Sequence, residues 1–385
     1  MTELLYYTDA YIEEFDARVL SVEKQGEAYI AVLDKTAFFP EEGGQYSDTG
    51  FVGDARVLDA KIKNGVVFHM LDREVAVGST LHCKLDFGER YEKMQCHSAE
   101  HLLCGLLHKH FGCDNVGFHL GRDYVTFDIS IPLSREQLDQ IEDEANRAVY
   151  ENREIFAAFP TGEELSGLEY RSKLEMTENV RIVTIDGYDS CACCAPHVRR
   201  TGEIGVIKML DAVSHRGGLR IYLAAGSRAL RDYRARYVES QKISAMLSEP
   251  QKTISDAVAR QSAALADAEA RLAEARRAIA ALYIERLSPD AEFSVAVLDG
   301  FSPNDLREYA KLAKERHSGY AVALSGEDGA YKYAVAKRGA SLGEEIKKIN
   351  AALCGVGGGR GEIVQGSFSA TLSDIENYFR HQPKN

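Results

Sequence analysis

The chain has 385 residues, enough for two or three compact units rather than one. Its net charge of −13 opposes indiscriminate nucleic-acid binding, which depends on clustered Lys and Arg, so any RNA partner must meet a local patch. No apolar run approaches the roughly 18 residues of a membrane helix, and MTELLYYTDAYIEEF lacks a basic leader; no membrane association is expected and the cytoplasm is the default. Eight cysteines in a chain read this way point to reduced thiols or metal ligands rather than disulfides. Three of them crowd into SCACC at 190–194.

From Ala17 to Asp86 the sequence shows short alternating or β-branched runs, ARVLSVE, EAYIAVLD, GVVFHML and TLHCKLD, parted by Gly, Asn and Asp turns. The pattern predicts a small antiparallel β-domain over residues 1–88. Near Glu89 the period changes to helical in ERYEKMQCHSAEHLLCGLLHKHF, which stops at Gly112. Further strands are expected in FHLGRDYVTFDIS, RIVTI and GEIGVIKML, with a helix over SREQLDQIEDEANRAVYEN. Ser134 and Gln137 are spaced as a capping box for that helix. A mixed α+β domain is expected over 89–228.

Residues 229–288 are rich in Ala, Glu and Arg and predict one long helix or a helical hairpin. Leu265, Ala268, Leu272, Ala275, Ile279 and Leu282 recur at spacings of three and four, a heptad seam. Both a packed spacer and an intermolecular coiled coil fit it, so a homodimer through this segment or through the C-terminal domain stays open. After Pro289, strands and helices alternate, predicting an α/β domain over 289–385. The overall class is α+β.

Within HSAEH, His97 and His101 stand four apart on the predicted helix, so both imidazoles lie on one face and can share an ion. A helix rises about 5.4 Å per turn and a Zn–N bond spans about 2.1 Å, so the remaining ligands must come from elsewhere. CCAPH offers Cys193 and His197, again four apart. Three imidazoles and one thiolate suit tetrahedral zinc, one ion per chain. Cys191 and Cys194 compete with Cys193, and Cys104 enters if the loop folds differently. Glu100 is out of register with HExxH, which argues against a zincin peptidase.

HSAEH, CCAPHVRRTGEIG and the upstream DKTAFFPEEGGQYSDTG together resemble, over roughly residues 5–227, the editing domain of alanyl-tRNA synthetase and the freestanding AlaX-type alanyl-tRNA editing proteins. The resemblance implies an N-terminal β-barrel-like domain followed by a zinc-binding editing domain, and carries over Thr36, Phe38, Pro40, Gly43, Gly44, Gln45 and Asp48 besides the four ligands. Gln45 and Thr36 become the expected catalytic residues, and Gly43, Gly44 and Asp48 the expected substrate contacts. Cys194, Ala195 and Pro196 replace the family's usual Gly, Gly and Thr, and Glu42 stands where its first glycine commonly lies.

GVGGGRGEIVQGSF makes the last segment resemble the DHHA1 domain that ends alanyl-tRNA synthetases. With no P-loop lysine behind the glycines, nucleotide hydrolysis is not implied. Lys332, Lys337, Arg338, Lys347, Lys348 and Arg360 are then the expected RNA contacts, with a solvated surface as the alternative.

Met1 runs almost directly into the β-domain, so an ATP-using synthetase core is not expected. The resemblance implies ester hydrolysis on tRNA(Ala) carrying serine or glycine, with Thr36 bonding a serine hydroxyl. A pocket that pairs with a hydroxyl rejects alanine better than one that measures size. Two other functions share the metal motif: a noncatalytic tRNA-binding protein with a structural zinc, and a zinc hydrolase of small non-RNA substrates.

Overall fold

In the computed structural model, residues 1–172 and 180–382 are described. The chain forms two compact units, Met1–Lys242 and Ile243–Asn385.

The N-terminal part of the first unit contains a sheet of six strands: β1 (Glu14–Gln25), β2 (Ala28–Leu33), β3 (Gly50–Val52), β4 (Ala55–Lys63), β5 (Val66–Leu71) and β6 (Thr80–Leu85). They pair in the order β1-β2-β5-β4-β3-β6 and close when β6 returns to β1. Alternation makes the interior. Ala17 and Val19 of β1, Ala31 and Leu33 of β2, Val57 of β4 and Leu71 of β5 all point inward and are fully buried with Phe38. Small and branched side chains suit this narrow space, where each strand contributes every second residue.

Helix α1 (Phe87–Phe111) comes directly after β6 and is buried on nearly every side from Arg90 to Leu107. It therefore lacks a broad polar face, and its core partners come from all around. Gly112 adopts φ 60° and returns its N–H to the His108 carbonyl, ending the helix where the sequence predicts. Helix α1 packs within a core shared with β7 (Asn115–Leu120), β8 (Val125–Ile129) and helix α2 (Arg135–Glu151). Ser134 and Gln137 form the expected capping box on α2. Strands β9 (Ile155–Ala158), β10 (Ile182–Ile185) and β11 (Asp189–Ala192) make a three-stranded antiparallel sheet. Strands β12 (Ile207–His215) and β13 (Gly218–Ala225) complete a four-stranded sheet, β12-β13-β8-β7.

Helix α3 (Gly226–Leu247) leads out of the first unit, and Pro250 separates it from α4 (Ile254–Glu285). Two helices rather than one continuous helix fill this stretch. On α4 the heptad residues Leu265 and Leu272 remain 61% and 51% exposed, so the seam faces solvent in the single chain.

The rest of the second unit is a five-stranded sheet of β14 (Phe293–Val297), β15 (Tyr320–Ser325), β16 (Tyr331–Lys337), β17 (Gly355–Gly358) and β18 (Ile363–Phe368). The order is β14-β15-β16-β18-β17, with only β14 and β15 parallel. Helix α5 (Pro303–Ala313) and the end of α4 cover one face, and α6 (Glu345–Ala352) with α7 (Leu372–Arg380) cover the other. Burial on both faces accounts for the wholly buried run of β15. Among the described residues no helix is long and apolar enough to cross a membrane.

Candidate metal centre

His97 and His101 project from one face of α1, and the stretch after β11 brings Cys193 and His197 against them. One ligand atom from each of the four lies within 4.8 Å of the others. The Cys193 sulfur is 3.6 Å from His97 Nε2 and 3.4 Å from His197 Nε2. Donors held about 2.1 and 2.3 Å from a tetrahedral zinc stand about 3.6 Å apart, so these separations fit the ion. Cys193 is the thiol in this group; Cys194 is not part of it, and Cys191 belongs to a separate cluster with His101 and Asp189. Cys104 is fully buried against Glu100 instead, 3.3 Å from its carboxylate.

Each imidazole turns Nδ1 away from the centre. His97 Nδ1 lies 2.9 Å from Gln45 Oε1, His197 Nδ1 lies 3.0 Å from Ser98 Oγ, and His101 Nδ1 faces Asp189 Oδ2 at 3.3 Å. An outer partner on Nδ1 leaves Nε2 as the metal-facing nitrogen. Burial, with His101 and His97 close by, holds His197 well below the usual histidine range, so it is a neutral donor. Burial also pushes the Cys193 thiol well above its usual value, with Cys194 adding to the rise. A bound divalent cation reverses that preference, because a coordinating thiol is deprotonated.

The glycine-rich segment reaches this centre through a tight turn. Glu42 and Gln45 exchange backbone hydrogen bonds of 3.1 and 3.0 Å, and Leu120 N–H donates to Gly44 O at 2.8 Å, docking the turn on β7. Gly44 has φ 83°, and a Cβ there would stand 2.5 Å from the Phe118 carbonyl oxygen. Only glycine meets both conditions. Gly43 lies on the opposite side, where a Cβ would meet Cys194 Sγ at 3.4 Å. The two departures from the usual family pattern, Glu42 and Cys194, therefore flank the same turn. Gln45 is buried, and while its oxygen serves His97, its Nε2 has no partner. A buried donor left over beside a ligand set is a natural contact for a substrate or water.

Thr36 and Asp48 are both buried and bonded within the fold. Thr36 is fully buried beside the barrel interior; its hydroxyl lies 2.9 Å from His69 Nε2 and accepts from Phe38 N–H at 3.1 Å. Its hydroxyl is thus engaged inside the fold, by His69 and Phe38. Asp48 is likewise buried, accepting from Phe39 N–H at 2.7 Å and pairing with Arg90 and with Lys93 at 3.0 Å. Burial opposes its charge, yet Arg90 and Lys93 hold the carboxyl below its usual range. Asp48 thus ties the glycine-rich segment to α1.

Four further residues of the site escaped sequence reasoning. Ser98 comes immediately after His97, so HSAEH contained the signal. Asp189 shares the strand parity of Cys191 and Cys193, a signal visible only once that strand is known. Arg181 donates from Nη1 to the carbonyls of Cys193 and Ala195, each at 2.9 Å, and so pins the CCAPH backbone. Phe118 packs a ring 4.6 Å from that of His97. No local motif marks Arg181 or Phe118.

In the second unit, Lys332, Arg338, Lys347, Lys348 and Arg360 are exposed, and Lys337 is half-buried. Lys347 pairs with Glu344 at 2.8 Å, Arg338 with Glu315 at 3.6 Å, and Lys337 lies over the Tyr320 ring.

Residues 180–222 match the family described as "Threonyl and Alanyl tRNA synthetase second additional domain", and residues 2–88 match "tRNA synthetases class II (A)". The first match contains Cys193 and His197, the second the glycine-rich turn. An alanine–tRNA ligase of Ignicoccus hospitalis is 30% identical over 94% of this chain and 40% of its own length. The alanyl-tRNA editing protein AlaX-L of Pyrococcus horikoshii is 32% identical over 60% of this chain and 62% of its own length. The chain thus spans less than two thirds of either relative. The C-Ala domain of Aquifex aeolicus alanyl-tRNA synthetase aligns with 23% of the chain and 87% of its own length, at 18% identity and a TM-score of 0.20.

Proposed function

We propose that this chain, which is similar to AlaX-type alanyl-tRNA editing proteins and to the related part of alanine–tRNA ligases, hydrolyses the ester of tRNA(Ala) mischarged with serine, with glycine as the second substrate. The observation that carries this reading is the converging donor set, three outward-anchored imidazoles and one thiol, with the free amide donor of Gln45 at its edge. Zinc, one ion per chain, is the proposed cofactor of His97, His101, Cys193 and His197; when bound it supplies Lewis-acid chemistry for water activation or an anchor for the substrate's amino group.

The chain's own residues do the rest. Gln45 orients His97 through Oε1 and offers Nε2 to the ester oxygen, and the Gly43–Gly44 turn lets the backbone approach closely. Thr36 and Asp48 act one step removed, by holding the segment that carries Gln45. The exposed Lys332, Lys348 and Arg360, together with Lys337, Arg338 and Lys347, are the proposed RNA contacts of the second unit. The four-part division at residues 88, 228 and 288, a cytoplasmic location and a homodimer through residues 229–288 or the C-terminal domain complete the proposal.

The test is incubation of the full chain with Ser-, Gly- and Ala-tRNA(Ala). Release of serine, with alanine spared, is expected. Four protein ligands ordinarily close a zinc site, which favours a second reading, a noncatalytic tRNA binder with structural zinc. Tight binding of all three tRNAs without release of any amino acid would establish that reading instead.

A further inference from the structure

Of the three outer partners that hold the histidines, Gln45 and Ser98 are neutral and Asp189 is a carboxylate. Its side chain is 2% exposed, and both oxygens accept from Arg171, at 2.7 Å from Nε and 2.8 Å from Nη2. Oδ2 also faces His101 Nδ1 at 3.3 Å, near enough for electrostatic pairing but without the alignment of a full hydrogen bond. Helix α1 makes room for this approach. Gly105 lies one turn beyond His101 on the same face, and a Cβ there would stand 2.7 Å from both Asp189 Cβ and the Tyr188 carbonyl oxygen. A glycine in a helix interior costs roughly 1 kcal/mol relative to alanine, and here it is what allows β11 to come close.

We propose that Asp189 is the positioning residue of the candidate metal centre: clamped by Arg171 and admitted by Gly105, it accepts the Nδ1–H of His101 and so turns Nε2 toward the ion. A carboxylate on the far nitrogen fixes the tautomer and ring orientation and raises the basicity of the ligand. Asp189, Cys191 and His101 also form a second group of potential ligand atoms. The bidentate guanidinium of Arg171 argues against a second ion there, because a divalent cation on Asp189 would meet a fixed positive charge. The carboxylate is shaped to orient a histidine.

The inference rests on the reading that the four donors hold a metal, and the measurements separate the two. Full-length protein stripped by chelation is titrated with Co2+, whose thiolate charge-transfer band reports Cys193, and with Zn2+ against a chromophoric chelator. Parent protein without the thiolate band overturns the metal reading itself. With the band present, Asp189→Asn is expected to weaken both metals roughly 10- to 100-fold while keeping the band at saturation, and to lower the melting temperature of the stripped protein because Arg171 loses its carboxylate. Gly105→Ala removes no ligand or charge and is expected to weaken binding in the same direction. An Asp189→Asn affinity within twofold of the parent overturns the proposal, as does a parent that binds two ions and loses one on this substitution. If Asp189→Asn does not fold, Gly105→Ala is judged by the same twofold criterion.

Discussion

His69 and His97 belong to the same compact unit and are buried almost equally, at 0% and 3% exposure, yet their rings are used in opposite ways. In the barrel, His69 spends both nitrogens on the polypeptide: Nδ1 faces the Ala31 carbonyl at 3.3 Å and Nε2 the Thr36 hydroxyl at 2.9 Å. Phe38 N–H closes the chain on the Thr36 oxygen. With Nδ1 as donor and Nε2 as acceptor, every member is satisfied by a neutral ring, which is how a polar group survives in a core. At the candidate metal centre each imidazole has an outer partner on Nδ1, and its other nitrogen converges with those of two more rings and with the Cys193 sulfur, which stands 3.6 Å from His97 Nε2 and 3.4 Å from His197 Nε2. The difference teaches that a candidate ligand is marked by the set of donor atoms its second nitrogen joins, and burial by itself says little.

The largest effect expected from this contrast is at the metal centre. Cys193→Ser should reduce zinc from about one ion per chain to a small fraction, because structural affinity is carried by the full deprotonated set. His69→Gln should leave zinc content unchanged. Elemental analysis of the two purified proteins decides, and an equal loss in both would dissolve the distinction between the two regions.

A second test uses pH. Burial lowers His69 from the ordinary 6.5 to about 4, opposed only by its bond to Ala31. The unfolded chain therefore binds a proton at His69 over a range in which the folded chain does not. The stabilisation is fully present above about pH 6.5 and is lost as pH falls toward 4, amounting to roughly 3 kcal/mol across the whole window. Denaturant unfolding of the metal-free protein between pH 7 and 5 should show this fall, and His69→Gln should flatten it. Equal slopes in the two proteins would mean that the ring is not held neutral by its surroundings.

The smallest effect concerns Thr36. Thr36→Val keeps the shape, removes the hydroxyl from His69 and leaves a buried nitrogen unpaired, at a cost of roughly 1–3 kcal/mol in stability. The ratio of serine to glycine release from charged tRNA should stay as in the parent. A selective loss of serine release, measured beside a thermal melt, would return Thr36 to the substrate pocket and blur the line between barrel interior and site.

Much of this molecule was determined by local sequence. The alternation from Ala17 to Asp86 specifies strands because the side-chain period is two. The Gly112 stop and the Ser134–Gln137 box specify helix ends because capping is satisfied within four residues. HxxxH and CxxxH specify half-sites because four residues make about one helical turn or one tight loop. What only the tertiary structure decided depends on contacts between distant segments. It chose Cys193 over Cys191 and Cys194, since strand β11 and the loop after it set which sulfur faces α1. It turned Thr36 and Asp48 inward, because His69, Arg90 and Lys93 lie 33, 42 and 45 residues away from them along the chain. It also placed Asp189 behind His101, for which the glycine at 105 had to meet a strand more than 80 residues downstream. Spacing along a chain encodes which atoms one element can present, and the packing of elements decides which of those atoms meet.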